Sequence, residues 1–248
     1  MVAASPDLAG AIERDGYAVV PGVLGPDDLA TLVAAVERAG LDDDGAARRG
    51  RGGAVYALRD LLKLVPEVRR VAGSAAVRSL VEPVLGPGAF AARGLLFDKT
   101  AGANWAVPWH RDMTIAVRRR VDVPGFGPWT VKAGVPHVRP PLPVLRRMLT
   151  VRLHLDDCPA ANGPLRVLPG SHAHDLALDP GLGREDGVAA VTCPMARGDA
   201  LVMRPLILHA SPSSGAPGHR RVVHLEFAAD PLPGGLEWSE ADEVDGGR

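Results

Sequence analysis

Cysteine is scarce: Cys158 and Cys193 are the only two in 248 residues, and their 35-residue spacing makes no C-x-x-C metal or redox pattern. Reduced thiols in a cytoplasmic compartment are the expectation. Long apolar runs are missing as well. No stretch reaches the ~18 uninterrupted apolar residues of a membrane span, and Asp7 stands where a signal peptide would carry its apolar core. Neither membrane insertion nor secretion is expected. Charge of one sign is also absent. The 28 Lys and Arg are interspersed with 29 Asp and Glu, for a formal charge of −1, so no broad field steers the chain towards nucleic acid or a membrane surface. The one basic run, Arg118-Arg119-Arg120, reads as a solvated loop edge, with a contact to an acidic part of a substrate as the alternative. There is no internal repeat.

What is present is the composition of an ordinary globular enzyme, 46% hydrophobic against 23% charged. At this size one hydrophobic core usually suffices. A single domain over 1–248 is expected, with a helical region over about 1–88 packed on a β core over about 89–230. In the front part, Pro6-Asp7 opens a short helix through Arg14, and Tyr17-Ala18-Val19-Val20 forms a strand ended by Pro21-Gly22. Pro26 at a first helical position, Asp27 and Asp28 at the positive helix end, and Leu29, Leu32, Val33 and Val36 at helical spacing predict a second helix up to Gly40. Residues 42–53 read as a mobile loop, and Val77, Leu80, Val81 and Val84 as a further helix ended near Gly86-Pro87-Gly88.

From Ala89 the pattern changes to short apolar segments between turn formers. The clearest strands are Leu95–Phe97, Thr150–Leu155, Leu165–Leu168, Ala200–Met203 and Arg221–Phe227. Regular strand–helix alternation is lacking, which favours an antiparallel sandwich or jelly roll over a doubly wound parallel sheet. Between Asp122 and Pro143 lies a Pro- and Gly-rich segment carrying Trp129 and Lys132, long enough to suggest a lid or binding loop.

In Trp109-His110-Arg111-Asp112 two ligand-type residues are two apart, and on a strand that period points both to one face. H-x-D alone is common. The distal pair strengthens it: His209 follows Leu206-Ile207-Leu208, and Arg220 comes 11 residues later, across a turn that lets adjacent strands set the two side by side. Two imidazoles and a carboxylate occupy one face of an octahedral ion and leave positions for an oxoacid and dioxygen. A guanidinium supplies a planar fork for the far carboxylate of that oxoacid. Zinc is the competing metal, since His, His and Asp also bind it. His172, His174 and Asp175 form a weaker alternative cluster in a turn, while His154 and His224 read as core or cavity histidines.

These residues resemble the phytanoyl-CoA dioxygenase family of Fe(II)/2-oxoglutarate oxygenases. The matching features are WHRD at 109–112, VRLHLDDCPAANGPLRVLPGSH at 151–172, His209 followed by Arg220, and DGYAVVPGVL at 15–24. The resemblance implies a mainly β fold with flanking helices, a double-stranded β-helix of the jelly-roll, cupin-like kind. It implies Fe(II) held by His110, Asp112 and His209, and 2-oxoglutarate paired through its 5-carboxylate with Arg220. Lys99 is similar to a family lysine that helps bind the cosubstrate, and Trp129 and Lys132 to pocket-wall residues. Asp112 stands where halogenating relatives have a small residue, so hydroxylation of an unactivated C–H bond of a small metabolite is favoured, with succinate and carbon dioxide released and dioxygen consumed. Desaturation, ring formation or epimerisation at the same iron site, and a silent jelly-roll binding protein, are the competing readings. No feature of the sequence sets a substrate identity or an oligomeric state.

Overall fold

The computed structural model describes residues 7–41, 47–49, 53, 55–174, 189–215 and 218–241. Its largest sheet has seven antiparallel strands in the order β1-β12-β9-β14-β4-β3-β2. In chain order these are β1 (Tyr17–Val20), β2 (Ala47–Arg49), β3 (Val55–Leu58), β4 (Phe90–Lys99), β9 (Met148–His154), β12 (Ala200–Met203) and β14 (Arg220–Ala228). A second sheet follows the order β11 (Val191–Cys193), β10 (Leu165–Val167), β13 (His209–Ser211), β5 (Val107–His110). The two form a double-stranded β-helix, as the sequence led us to expect.

Alternation along the central strands decides what each face does. Val151, Leu153, Val223, Leu225 and Leu96 turn to one side and join Leu29, Leu32, Val36, Val68, Val77 and Leu80 in one buried cluster. The helices carrying that second set are α2 (Pro26–Leu41), α4 (Pro66–Ala72) and α5 (Ala75–Leu85), with α1 (Leu8–Asp15) adding Leu8 and Ile12. Each such aliphatic side chain contributes about 1.5–3 kcal/mol by leaving water. The residues between them, Arg152, His224, Glu226, Leu95, Phe97 and Lys99, turn to the other side and line a cavity. Period-two alternation therefore builds the core and the cavity from the same strands. Between the sheets Cys158, Leu165, Val167, Cys193, Leu201, Met203 and Ile207 form part of a smaller buried cluster. Both cysteines are free.

The front also feeds the main sheet: β1, expected at Tyr17–Val20, and β2 are its two edges, and α3 (Leu61–Leu64) follows β3. Two expectations need correction. Of the expected loop at 42–53, Ala47–Arg49 is the strand β2, and 42–46 and 50–52 lie outside the described residues. The 122–143 segment is not irregular throughout. It contains β7 (Trp129–Lys132) and β8 (Val135–Val138), joined in register into a hairpin with Lys132 opposite Val135. Ala133 and Gly134 both have positive φ, 51° and 80°, as a two-residue hairpin turn demands. β8 also pairs with β6 (Ile115–Ala116) and leads to α6 (Leu142–Arg146). The prolines masked this pattern. Pro136 sits inside β8, where it lacks a donor but its carbonyl still accepts from Val117 N at 3.0 Å.

The C-terminal part ties the layers together. Glu240 is buried, and its two carboxylate oxygens accept from Leu62 N in α3 at 2.9 Å and from Gly94 N in β4 at 3.2 Å. Among the described residues no helix is long and apolar enough to cross a membrane.

Candidate active site

His110 ends β5 and His209 begins β13, directly opposite each other in the antiparallel ladder. Their rings lie 4.1 Å apart between centroids. Each Nδ1 faces a backbone carbonyl two residues back, Pro108 O at 2.8 Å for His110 and Ile207 O at 2.9 Å for His209. Those carbonyls can only accept, so Nδ1 carries the proton and the Nε2 lone pair of each ring turns inward. Asp112 lies two residues beyond the end of β5, not on a strand, and its backbone N donates to Pro205 O at 2.9 Å. That bend brings Asp112 Oδ1 to 3.8 Å from His110 Nε2 and Oδ2 to 3.7 Å from His209 Nε2. All three ligand atoms fall within 4.8 Å of one another.

The electrostatics of this triad fit a cation. Asp112 Oδ2 is buried with no hydrogen-bond partner, an arrangement costly for a carboxylate unless an ion completes it. Burial works to raise the Asp112 carboxyl, but His209, His224, His110 and Arg152 outweigh it and hold it below the ordinary carboxylate range. Burial pushes the His209 imidazole down to about 4, so it is neutral and free to donate its lone pair. Three ligands on one side leave the other side open to the cavity.

That cavity, about 460 Å³, also holds Lys99, Arg152 and Arg220. Lys99 stands at the end of β4. It is 1% exposed, and Nζ donates to Ser211 Oγ at 2.9 Å and Pro212 O at 2.6 Å and stands 5.4 Å from the Trp105 ring centre. Burial, then the Arg220 charge, pushes its ammonium down to about 8. Arg220 pairs across the β14–β4 ladder with Lys99. Its Nη1 donates to the Gly163 and Asn162 carbonyls and Nη2 to Ser211 Oγ at 3.2 Å, which leaves its buried Nε unpartnered. Arg152 Nη1 donates to His224 Nδ1 at 2.8 Å, and its Nε is also unpartnered. Buried cations with spare donors and no carboxylate of their own make an anion site.

His209 and Arg220 do come together, but not on neighbouring strands. β13 belongs to the small sheet and β14 to the large one, and Ser211 links them across the sandwich. Asn162-Gly163 form a turn: Gly163 is left-handed, with φ 60°, and its carbonyl anchors the guanidinium. Lys132 reaches the cavity, with Nζ 3.4 Å from Thr114 Oγ1. Trp129 does not line it; its ring packs against the cluster of Ile115, Val138 and Leu145, with the Arg120 guanidinium 5.4 Å from its centre. Period two on β7 gives the reason, since Trp129 and Lys132 are three apart and face opposite sides. Arg118 pairs with Glu237 and Arg120 with Asp122 near the surface, consistent with a loop edge. His172 is turned to Glu13 O at 3.1 Å, away from the triad, and Asp175 lies outside the described residues. Arg152, Arg59, Arg93 and Trp105 also line the cavity, and no motif in the sequence marks them. The alternation of Arg152 and His154 with Val151 and Leu153 was the available signal for a lined cavity.

The profile of the phytanoyl-CoA dioxygenase (PhyH) family matches residues 12–222. The chain belongs to this family. An ectoine dioxygenase of Stutzerimonas stutzeri (strain A1501) is 26% identical over 174 residues, 68% of this chain and 50% of that relative. The chain thus spans about half the length of the dioxygenase it matches. Among solved structures, AviO1 from Streptomyces viridochromogenes Tue57 superposes with a TM-score of 0.66 at 27% identity, covering 93% of this chain and 100% of that one. The epimerase SnoN in complex with Fe3+, alpha ketoglutarate and nogalamycin RO gives 0.66 at 22% identity, covering 92% and 90%. PhyH membership thus agrees with the jelly roll, and the second neighbour is a case of the same fold holding iron and the oxoacid.

Proposed function

We propose that this PhyH-family chain is an Fe(II)- and 2-oxoglutarate-dependent dioxygenase that hydroxylates an unactivated C–H bond of a small organic metabolite. The observation that carries the reading is the pairing, in one cavity, of an open-sided His110, Asp112 and His209 triad with three buried cations, Lys99, Arg152 and Arg220. A zinc hydrolase would give those cations no work. In this reading the described residues act as one catalytic unit in a cytoplasmic setting, where the buried thiols stay reduced.

When bound, ferrous iron supplies the activation of dioxygen coupled to oxidative decarboxylation of 2-oxoglutarate to succinate and carbon dioxide. The chain supplies placement. Carbonyls of Pro108 and Ile207 hold the two imidazoles in the ligating tautomer. Arg220 offers its fork to the distal carboxylate, with Gly163 O and Ser211 Oγ fixing its plane, and Lys99 adds a second positive charge beside it. Leu95, Phe97, Val107 and Met113 add apolar wall to the cavity, a surface suited to keeping water from a reacting carbon.

The test is twofold. Anaerobic titration with Fe(II) should show one site, lost in His209→Ala and in Asp112→Ala while both stay folded. Oxidation of a member of a metabolite library should release succinate, and product mass should rise by one oxygen. Iron binding unchanged in His209→Ala would end this assignment. A product lighter by two hydrogens, or isomeric with the substrate, would replace hydroxylation by desaturation or cyclisation, or by epimerisation, the chemistry of the SnoN neighbour.

A further inference from the structure

The cavity holds a second group of cations that the cosubstrate cannot use, an argument that rests on the reading above for Lys99, Arg152 and Arg220. Arg93, Leu95, Phe97 and Lys99 share the cavity-facing side of β4. Six residues at ~3.3 Å each put Arg93 roughly 20 Å from Lys99. A five-carbon diacid spans about two residues of extended chain, ~7 Å. Held at Lys99 and Arg220, it ends far short of Arg93.

Arg59, just after β3, and Lys132, at the tip of β7, also line the cavity, and both feel the charge of Arg93. Glu226 hydrogen-bonds one of the three, its Oε1 accepting from Arg93 Nη1 at 3.1 Å, and its charge also reaches Lys132. Arg59 has a buried Nε with no hydrogen-bond partner, and the opposite charge of Asp60 offsets only part of what burial, Arg93 and Arg48 do to it. Their joint field also reaches the buried His137. Burial first, then Arg93, Lys132 and Arg59, push that imidazole down to about 4.

The charge balance points the same way. The whole chain carries −1, yet seven cationic side chains and two carboxylates line this one cavity. A ferrous ion and the 2-oxoglutarate dianion cancel each other, so loading the site leaves the excess in place. We infer that the substrate is an amphiphilic small molecule whose carboxylate or phosphate group docks on Arg59 and Lys132, beside an Arg93 held by Glu226. Its apolar body lies along Leu95 and Phe97, which presents the carbon to be oxidised to the centre at His110 and Asp112.

The experiment uses protein loaded with Mn(II) and 2-oxoglutarate and titrated calorimetrically with 4-phenylbutyrate, 3-phenylpropyl phosphate and neutral 4-phenylbutyramide. At least one anion should bind about tenfold or more tighter than the amide, the scale expected for a partly buried charge pair. Arg59→Gln and Lys132→Met should each erode that preference by about threefold or more and leave the 2-oxoglutarate titration as in wild type. The two anion arms distinguish a carboxylate handle from a phosphate one. Equal binding of amide and anions, no binding by any of the three, or a preference intact in both variants overturns the inference. Failure of wild type to bind 2-oxoglutarate would instead strike the cosubstrate reading, so the two failures are separable.

Discussion

Gly163→Ala should damage both the fold and the cosubstrate site, although residue 163 offers no side chain to either. Gly163 has φ 60°, and a Cβ built there would lie 2.5 Å from Pro212 O and 3.0 Å from Ser213 O, both backbone atoms. The left-handed conformation costs an L residue about 1–2 kcal/mol. Forcing the two backbone segments apart adds about 1–3 kcal/mol by overpacking. Together these predict a melting temperature lower by about 4–20 °C, at ~2–4 °C per kcal/mol for a chain of this size. The separation also disturbs the anion site. Gly163 O accepts from Arg220 and from Ser211 Oγ at 3.2 Å, and Pro212 O accepts from Lys99 Nζ at 2.6 Å. We therefore expect 2-oxoglutarate affinity to fall at least about tenfold, or 1.4 kcal/mol. Gly134→Ala is the control: it carries the same kind of backbone strain, φ 80°, with nothing within 4 Å of its Cβ. It should lose about 1–2 kcal/mol and keep its affinity. Thermal melts and calorimetric titration of the two variants check this. Wild-type melting and wild-type affinity in Gly163→Ala would refute the turn's role.

The Lys99 ammonium, pushed down to about 8, predicts that 2-oxoglutarate affinity falls as pH rises through that value, because the dianion favours the protonated form. The pH step should vanish in Lys99→Met; a step retained there would assign it to another group. Glu240 gives a stability prediction of known sign. Burial raises its carboxyl from the ordinary 4.5 to about 7, so its contribution is fully present below the ordinary value and is lost as pH rises through 7. Chemical unfolding from pH 4 to 8 should show wild type losing up to about 3 kcal/mol relative to Glu240→Gln, and a flat difference would contradict it. Trp129→Ala should act on the fold: removing a half-buried ring from its apolar cluster is expected to cost about 2 kcal/mol, roughly half the value for full burial. Unchanged melting together with slower turnover would restore a lid role for that segment.

Local chemistry made parts of this protein legible early. Tyr17–Val20 and α2 followed from apolar spacing and turn formers, because those signals act within one element. The jelly roll followed from many short strands without regular crossover helices. The 122–143 segment misled because proline content outweighed a strand pattern whose partners lie elsewhere: β8 is secured by pairing with both β6 and β7, not by its own residues.

By itself the sequence determined the residue types of the candidate centre, His110, Asp112, His209 and Arg220, since their spacing and flanking apolar runs are properties of the chain. Tertiary structure decided the rest. It put His209 opposite His110, bent Asp112 back to both, buried Lys99 beside Arg220, and turned Trp129 away from the cavity while Lys132 entered it. It also gathered Arg59, Arg93 and Lys132 from three separate strands or their ends. The reason is that side-chain direction depends on strand parity and sheet partner, and electrostatic environment on burial, none of which a linear order of residues contains.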